Sequence, residues 1–408
     1  MRSRGVGGAR PVCLITHSYY EEDARVRRAA ETLVLAGRPV DVFALRRPGD
    51  SPEAVVEGVR LHRLDVRRHQ GAGIGTYMAE YLAFLVRATF AVTASHRRRR
   101  YALLHVNTLP DFLAFAGLPL RLAAGVPILL DLHEAMPEFF RARFPARASR
   151  LAHEALLLQE RASIAIAAAV VTVNDALVER LVEQGVPASK VTVILNAPDL
   201  RRFDPSAYAR RTFAEDGVLR LVYAGALTPT YELDVVVDAV ELLGRLRPEL
   251  RVTLDLYGRG DSEAALGERV RAQGLADRIR LHGRIPLEDV PAAIAAADIG
   301  LAPTARTPFT DMSLSTKLFE YAAMGKPVIA SSLPTVDRYF PQGTVAHYAP
   351  GDPEDLARAI LALVDDPVTR EAGRAATGRR AAELSWDGQA ARYLALVERL
   401  CAGRGTPP

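Results

Sequence analysis

The chain has 408 residues, more than one typical hydrophobic core accommodates, so the sequence predicts two domains. Its 49% hydrophobic and 25% charged residues argue against a disordered protein, and without a run of 18 apolar residues we expect no transmembrane helix. The net charge is only +4. The chain has two cysteines, and they do not lie at the Cys/His spacing of a zinc site, so we expect neither a disulfide framework nor a structural zinc. We therefore expect a cytoplasmic protein without a metal.

The first 45 residues predict the opening of a parallel sheet. Residues 12–15 form a short apolar run, residues 23–35 carry an apolar face at helical spacing, and residues 40–45 form a second apolar run. Strand, helix and strand in this order are typical of a doubly wound α/β domain. Asp23 and Arg25 lie on the first strand–helix loop, where they either line a binding site or pair with each other at the helix start.

Residues 77–96 predict a long helix that runs into four consecutive arginines. Glu80 and Arg87 within the helix argue against a membrane span. In one interpretation the helix packs on the sheet and ends in a solvated arginine cluster, because positive charge suits a helix C-terminus. In the other, helix and cluster contact an anionic membrane surface. The cluster consists of Arg97, Arg98, Arg99 and Arg100.

Polar residues recur directly after the predicted strands of the first half. In an open parallel sheet, ligands bind at the carboxyl ends of the strands, so this recurrence predicts a binding site. The residues are His17, Asp111, His133, Glu134, Asn174 and Asn196.

A polar, proline-containing segment at 199–217 separates this series from a second series of strands and helices. We therefore place the domains at 1–200 and 201–385, with a last helix and tail at 386–408. Glycines follow three strands of the second series, and glycine lets a backbone approach a phosphate closely. These positions are Gly225, Gly258 with Gly260, and Gly283.

Residues 313–334 read SLSTKLFEYAAMGKPVIASSLP and predict a helix followed by a buried strand. Ser315 and Thr316 are residues that commonly begin a helix, because a hydroxyl can accept from an unpaired N–H group. Lys317 and Glu320 share a helix face, and a helix start beside a lysine is a place where phosphate binds. The alternative is an ordinary amphipathic helix with a surface ion pair.

This segment resembles the nucleotide-sugar site of the retaining glycosyltransferases of family 4. The resemblance extends to Asp23-Ala-Arg25-Val26 and to the segment LLDLHEAMPE that contains His133. It implies an α/β, GT-B architecture of two facing Rossmann-like domains with parallel sheets, and a C-terminal helix that crosses back to the N-terminal domain. The N-terminal domain would bind the acceptor and the C-terminal domain the nucleotide sugar.

The resemblance also implies residue roles. Glu320 would hold the ribose of the donor, and Lys317 with the turn of Ser315, Thr316 and Leu318 would face its diphosphate. His133, as a neutral imidazole, would hydrogen-bond a sugar hydroxyl or the leaving group; without the resemblance it reads as a structural loop histidine. Further donor-site residues would be Gly225, Gly258, Arg259, Gly260, Arg284 and Ile285, and acceptor-site residues Asp23, Arg25, Glu134 and Asn174.

Three positions depart from the family pattern. Met312 stands where a second glutamate is usual, and Ala226 and Tyr231 stand where an arginine and a lysine usually bind the diphosphate. We expect Arg259, Arg284, Arg306 or Lys317, or the helix N-terminus, to compensate.

The sequence therefore predicts a retaining glycosyltransferase with a UDP- or GDP-linked donor and a glycan or lipid-linked acceptor, needing neither cofactor nor metal, at the inner membrane face. A nucleic acid is not an expected partner, because basic residues are not interleaved with aromatics. Alternatives are a sugar-nucleotide epimerase of the same architecture and a non-catalytic nucleotide-binding paralogue. A nicotinamide-dependent dehydrogenase is disfavoured, since no GxGxxG opens the first strand–helix turn.

Overall fold

The computed structural model describes residues 9–68, 73–143, 150–209, 211–214 and 216–403. The chain divides into two compact units, of which the first comprises residues 1–195 and 389–408 and the second residues 196–388. Both units are built on a sheet covered by helices, as the strand–helix alternation predicts.

The first unit contains an eight-stranded sheet in the order β3-β4-β2-β1-β5-β6-β7-β8. Its strands are β1 (Val12–Thr16), β2 (Val40–Leu45), β3 (Glu53–Val56), β4 (Val59–Leu64), β5 (Leu103–Asn107), β6 (Ile128–Leu132), β7 (Ala169–Thr172) and β8 (Val191–Val193). All pairings are parallel except that of β3 with β4. This edge hairpin departs from the predicted parallel sheet. Its two-residue turn at Glu57 and Gly58 has positive φ at both positions, as tight hairpins require.

Among the described residues before 196, the α-helices of this unit are α1 (Ala24–Leu35), α2 (Ile74–Arg99), α3 (Leu118–Ala124), α4 (Met136–Arg143), α5 (Arg150–Ile166) and α6 (Asp175–Glu183). Strands β1, β2, β5 and β6 are buried along their whole length, which explains their near-continuous apolar sequences. The core forms where Ile15, Val106 and Leu130 of the sheet join Phe84 and Ala88 of α2.

Helix α2 is longer than predicted at both ends and reaches Arg99. Arg100, the C-cap residue that follows it, adopts a left-handed conformation with φ 52°. The Arg99 guanidinium turns toward the sheet and donates two hydrogen bonds of 2.8 Å to the Asp41 carboxylate. The expectation of four solvated arginines is therefore wrong for Arg99, because a buried carboxylate on β2 requires a cationic partner.

The second unit contains a six-stranded sheet that is parallel throughout, in the order β11-β10-β9-β12-β13-β14. Its strands are β9 (Val218–Ala224), β10 (Arg251–Tyr257), β11 (Ile279–Gly283), β12 (Ile299–Ala302), β13 (Val328–Ser331) and β14 (Ala346–Tyr348). Its helices are α7 (Leu233–Leu246), α8 (Glu263–Ala272), α9 (Val290–Ala295), α10 (Thr316–Ala323), α11 (Pro334–Tyr339), α12 (Pro353–Asp365) and α13 (Pro367–Glu383).

The last helix, α14 (Trp386–Ala402), begins in the second unit and belongs to the first unit from Gln389 onward. At its start, the Trp386 N–H donates to the Pro198 carbonyl at 3.2 Å. Further along, the Tyr393 hydroxyl lies 2.9 Å from His105 Nδ1 in the interior of the first unit. Within the described part of the chain, no helix has the length and apolarity to cross a bilayer.

Candidate functional site

Tyr321 fixes α10 against the sheet of the second unit. Its ring occupies the space beside Gly300 on β12, where a Cβ atom would come within 2.3 Å of the ring. Its hydroxyl accepts a 3.1 Å hydrogen bond from the backbone N–H of Ala224, the last residue of β9. The tyrosine of the FEYAAMG stretch therefore locates the start of α10 relative to the carboxyl end of β9.

The first turn of α10 is capped differently from the prediction. Ser315 lies at the N-cap position with an extended backbone, but its hydroxyl makes no capping hydrogen bond. The Leu318 N–H donates weakly to the Ser315 carbonyl at 3.3 Å. Ser315 and Thr316 are half-buried and Leu318 is fully buried, so the Leu318 side chain is not accessible to a ligand.

Two tyrosine rings hold the Lys317 side chain. Its Nζ lies 3.8 Å from the ring centroid of Tyr231 and 4.9 Å from that of Tyr223, and Lys317 is only 5% exposed. An ammonium group over an aromatic face is attracted by the quadrupole of the ring, more strongly where water is excluded. Gly225 provides the room, because a Cβ there would lie 2.3 Å from Lys317 Cε.

The two tyrosine rings around Lys317 explain why a tyrosine can stand at position 231, where the family usually has a basic residue. Tyr231 supplies no charge of its own, yet the ammonium group of Lys317 lies directly over its ring. Ala226 contributes its carbonyl, which accepts a 2.6 Å hydrogen bond from the Tyr223 hydroxyl and so fixes the second ring.

Gly258 and Gly260, which follow β10, are required by the packing of the loops themselves, whether or not a ligand approaches them. A Cβ at Gly258 would lie 1.8 Å from the Gly225 carbonyl oxygen, and one at Gly260 would lie 2.2 Å from that of Leu227. Backbone hydrogen bonds connect these loops, from Gly225 N–H to Tyr257 O at 2.9 Å and from Gly258 N–H to Gly283 O at 2.8 Å. Gly258 and Gly260 thus permit the loop after β10 to pack on the loop after β9.

The other predicted cations of this unit differ in their surroundings. Arg259 and Arg284 are exposed, and Ile285, which follows Arg284 in the sequence, is half-buried. Arg306 instead forms an ion pair with Asp311, with Nε 3.2 Å from Oδ1. Lys317 is therefore the buried cation of the region, whereas Arg306 is engaged elsewhere. Met312 and Glu320 are both half-buried.

In the first unit, three side chains lie close to the carboxylate of Asp131 near the end of β6: those of Arg25, His105 and His133. Arg25 makes two hydrogen bonds with its carboxylate, of 2.7 and 2.9 Å, and a third with the Ile194 carbonyl. His105 Nε2 approaches the same carboxylate to 3.7 Å. Burial raises the pKa of Asp131, but the Arg25 guanidinium and the two histidines outweigh burial and hold it well below its usual range.

His133 belongs to this cluster, with Nδ1 3.8 Å from an Asp131 oxygen and about a quarter of its side chain exposed. Burial lowers the pKa of His133, but the Asp131 carboxylate outweighs burial, so the net pKa is raised. The protonated form of His133 is therefore more favoured than in a free histidine, whereas the sequence analysis expects a neutral imidazole. Burial also raises the pKa of the neighbouring Glu134.

Two of the expected acceptor-site residues cap helices. Asp23 is the N-cap of α1, where its side chain accepts from the Val26 N–H at 3.1 Å and from the Ser18 hydroxyl at 2.7 Å. Asn174 is the buried N-cap of α6 and accepts from the Leu177 N–H at 2.9 Å. The alternative of an Asp23–Arg25 pair is wrong, since Arg25 binds Asp131.

Sequence reasoning missed Asp131 and Tyr223, although each left a signal. Asp131 interrupts the apolar segment ILLDL, and a charge inside a buried strand requires a partner. Tyr223 lies among the apolar residues of β9 and two residues before Gly225, where its role depends on Lys317 far along the chain. Another strand-end residue, His17, is buried with its ring edge-on to Tyr81 and Phe84.

Within the described residues, no group of three His, Cys, Asp or Glu side chains could hold a metal ion. The described geometry thus provides two sets of polar groups: Lys317 with its aromatic and glycine surroundings on the second unit, and His133 with Asp131 and Arg25 on the first.

Two Rossmann-like units and a long C-terminal helix are the architecture of the GT-B class of proteins. Residues 23–197 match the family model of the glycosyl transferase 4-like domain, and residues 219–366 match that of the glycosyl transferases group 1. The chain belongs to the family 4 glycosyltransferases, which are retaining enzymes that use nucleotide-sugar donors.

Similar proteins span nearly the whole chain. Glycogen synthase of Mycobacterium tuberculosis is 26% identical over 375 residues, covering 88% of this chain and 86% of its own. Sucrose-phosphate synthase from Thermosynechococcus elongatus superposes with a TM-score of 0.78 at 21% identity, over 97% of this chain and all of its own. Anabaena HepE in complex with UDP-glucose has a TM-score of 0.71 at 15% identity, over 95% and 99% of the two chains.

Proposed function

We propose that this enzyme transfers a sugar from a UDP- or GDP-linked donor to a glycan or lipid-linked acceptor in the synthesis of cell-surface polysaccharide or glycolipid. The observation that carries the proposal is the Lys317 ammonium group, buried between two tyrosine rings beside the start of α10. A fixed cation next to a helix N-terminus favours a diphosphate. The complex of Anabaena HepE with UDP-glucose supports a uridine nucleotide as the first donor to test.

The donor would lie on the second unit. Lys317 and the turn from Ser315 to Leu318 would bind the diphosphate, with Arg259 and Arg284 as further cations. Gly225, Gly258 and Gly260 would shape the loops against which it lies. Glu320 would accept hydrogen bonds from the ribose hydroxyls. Ile285, which is half-buried, would contact the base.

The acceptor would bind to the first unit. His133 would donate a hydrogen bond to a sugar hydroxyl or to the departing phosphate oxygen, a role that its raised pKa supports because the imidazolium has two N–H donors. Asp131 would act through His133 as a positioning residue. Glu134 would orient the acceptor, whereas Asp23, Arg25 and Asn174 would support the loops that carry the site.

We place the enzyme at the cytoplasmic face of a membrane, since a lipid-linked acceptor is held there. Of the four arginines at the end of α2, Arg97, Arg98 and Arg100 are exposed and available for such a contact, whereas Arg99 is bound to Asp41.

A thermal-shift screen of UDP, GDP, ADP and their sugar conjugates tests the donor site. We expect one nucleotide series to raise the unfolding temperature of the wild type but not that of Glu320→Ala, because the ribose loses its acceptor. Glu268→Gln, which alters an exposed glutamate on α8 of the same unit, is the matched control and should respond like the wild type.

Equal shifts in the wild type and Glu320→Ala, or no shift with any nucleotide, would contradict the proposed site. The stabilising sugar nucleotide is then incubated with and without candidate acceptors. Conversion of the donor sugar without an acceptor would identify an epimerase instead of a transferase.

A further inference from the structure

One face of α2 exposes four large apolar side chains to solvent. They are spaced four residues apart, and because each step rotates about 40° around the helix, together they span about 120° of its surface. We call this surface the apolar face of α2. It consists of Met78, 43% exposed, Leu82, 49%, Val86, 52%, and Phe90, 73%.

The apolar face is not needed for the core of the first unit. The opposite side of α2 already packs on the sheet through Phe84, Ala88 and Val92, all fully buried. Glu80 is the only acidic residue in the sequence from 73 to 100, and it is buried at 6% exposure. The exposed side of the helix therefore carries no negative charge over this length.

Basic groups adjoin the C-terminal end of the apolar face. Arg97 and Arg98 are exposed, as is Arg100 at the helix end. Their guanidinium groups make no hydrogen bond or ion pair with the described residues. A cleft of about 460 Å³ lies here, lined by Ala9, Arg10, Pro11, Pro39, Arg98, Arg99 and Arg100. Phe90 and Arg98 are about 12 Å apart along the helix axis, since each residue advances 1.5 Å.

We infer that the apolar face of α2 inserts into the interfacial region of an anionic bilayer while Arg97, Arg98 and Arg100 bind lipid phosphates. An amphipathic helix lies in the membrane plane when apolar residues cover one side and arginines border it. Arginine suits this position because its aliphatic stem contacts acyl chains while its guanidinium binds phosphate with two donors. The inference rests on the proposed function in that it names the surface that brings the enzyme to a lipid-linked acceptor.

Charge favours a membrane over a second copy of this chain. In a parallel pairing of two α2 helices, the arginine ends would meet directly. In an antiparallel pairing, each arginine end would face residues near the start of the partner α2, where Arg67 and Arg68 are also exposed. Like charges repel in both arrangements, whereas anionic lipid attracts every one of these groups.

Co-sedimentation with vesicles tests the inference, with phosphatidylcholine vesicles compared with vesicles that also contain phosphatidylglycerol. We expect the wild type to sediment with the anionic vesicles only. Leu82→Ser/Phe90→Ser should weaken this binding at least tenfold, because two apolar groups lose their transfer into the interface. Arg97→Gln/Arg98→Gln should weaken it about fivefold for each arginine, and added salt should reproduce that loss.

Leu35→Ser is the matched control, since Leu35 is 69% exposed on α1 of the same unit. It should bind vesicles like the wild type. Light scattering and far-ultraviolet circular dichroism without vesicles verify that every variant is folded and has an unchanged oligomeric state. Failure of the wild type to bind anionic vesicles, or equal binding by Leu82→Ser/Phe90→Ser, would overturn the inference. A dimer that this variant dissociates would assign the face to a second copy instead.

The nucleotide screen separates the two proposals. If the wild type and the α2 variants respond equally to nucleotide but the wild type does not bind vesicles, only the proposed membrane contact is refuted. If vesicles bind but no nucleotide stabilises the protein, the proposed transferase site fails while the membrane surface remains.

Discussion

Tyr231 replaces a charge with an aromatic surface. Its ring lies 3.8 Å from Lys317 Nζ, so the lysine is held by a quadrupole rather than by an acidic partner. A carboxylate in this place would neutralise the cation and repel a diphosphate, whereas an aromatic ring leaves the positive charge intact. The tyrosine therefore suits the proposed role of Lys317 in binding a diphosphate.

Replacing Tyr231 separates this effect from simple packing. Tyr231→Leu keeps an apolar side chain but removes the ring, so we expect the affinity for UDP to fall about three- to tenfold as Lys317 loses its orientation. Tyr231→Phe keeps the ring face and should bind UDP like the wild type. Isothermal titration calorimetry measures both; a leucine variant as tight as the phenylalanine variant would refute the cation–π role.

Asp111 makes the stability of the first unit depend on pH. Burial, with a contribution from the Glu160 carboxylate, raises the pKa of Asp111 to about 8. An aspartate in an unfolded chain has a pKa near 3.9, so the folded state binds the proton more tightly. The stabilisation from Asp111 is complete below about pH 4 and is lost as the pH rises toward 8.

Asp111→Asn should abolish this dependence, because the amide does not titrate. We expect its free energy of unfolding, relative to the wild type, to increase steadily from pH 5 to pH 8, as urea denaturation at each pH would reveal. Glu183→Gln, which changes an exposed carboxylate of α6, should follow the wild-type profile. A constant difference between Asp111→Asn and the wild type across this range would contradict the assignment.

Individual candidate residues could be selected from the sequence where the proposed role depends on near neighbours. Lys317 and Glu320 stand out because a helix start, a lysine and a carboxylate occur within six residues. The partner of Arg25 was not predictable, since Asp131 lies 106 residues further along the chain and an aspartate lies only two residues away. Such pairs depend on side-chain orientation, which cannot be read from a single sequence.

At the level of secondary-structure elements, the Arg25–Asp131 pair connects three parts of the first unit. Arg25 lies on α1, Asp131 on β6, and the Ile194 carbonyl, which accepts from Arg25 Nη1, directly follows β8. Both charged side chains are buried, so each depends on the other for its solvation. The pair therefore holds α1 at the carboxyl end of the sheet.

Removing one partner of the Arg25–Asp131 pair should lower the free energy of unfolding more than removing both partners. We expect Asp131→Asn to lower the free energy of unfolding by about 3–5 kcal/mol, because the Arg25 guanidinium remains buried without its counter-ion. The double variant Arg25→Met/Asp131→Leu should recover much of this loss. Urea unfolding of the three proteins measures the difference, and a double variant less stable than Asp131→Asn would contradict the explanation.

Most elements followed from apolar periodicity, and the exceptions have identifiable causes. Residues 53–56 were not predicted as a strand. Their side chains alternate between exposed and half-buried positions at a sheet edge, so the segment has no long apolar run. Helix α2 extends to Arg99 because arginine is a good helix former and Asp41 anchors its last turn. The glycine loops were located correctly, but their packing on one another depends on strand order, which the local sequence does not specify.

For the whole molecule, the sequence predicted two α/β domains because strands and helices alternate regularly on both sides of a polar segment. The order of strands in each sheet and the antiparallel edge hairpin required the structure. The functional prediction came from the family resemblance. Composition gave no functional information, because net charge and hydropathy are ordinary for a globular protein. Donor, acceptor and linkage depend on side chains whose positions are set by many elements together.

The return of α14 to the first unit has a consequence for synthesis. Residues 389–403 complete the interior of that unit, with Tyr393 and Val397 buried in it. A ribosome adding about 5–20 residues per second reaches Gln389 roughly 10–40 s after Leu195. During that interval the nascent first unit lacks its final helix, while the second unit is emerging from the exit tunnel. The domain that begins first is therefore the last to be finished.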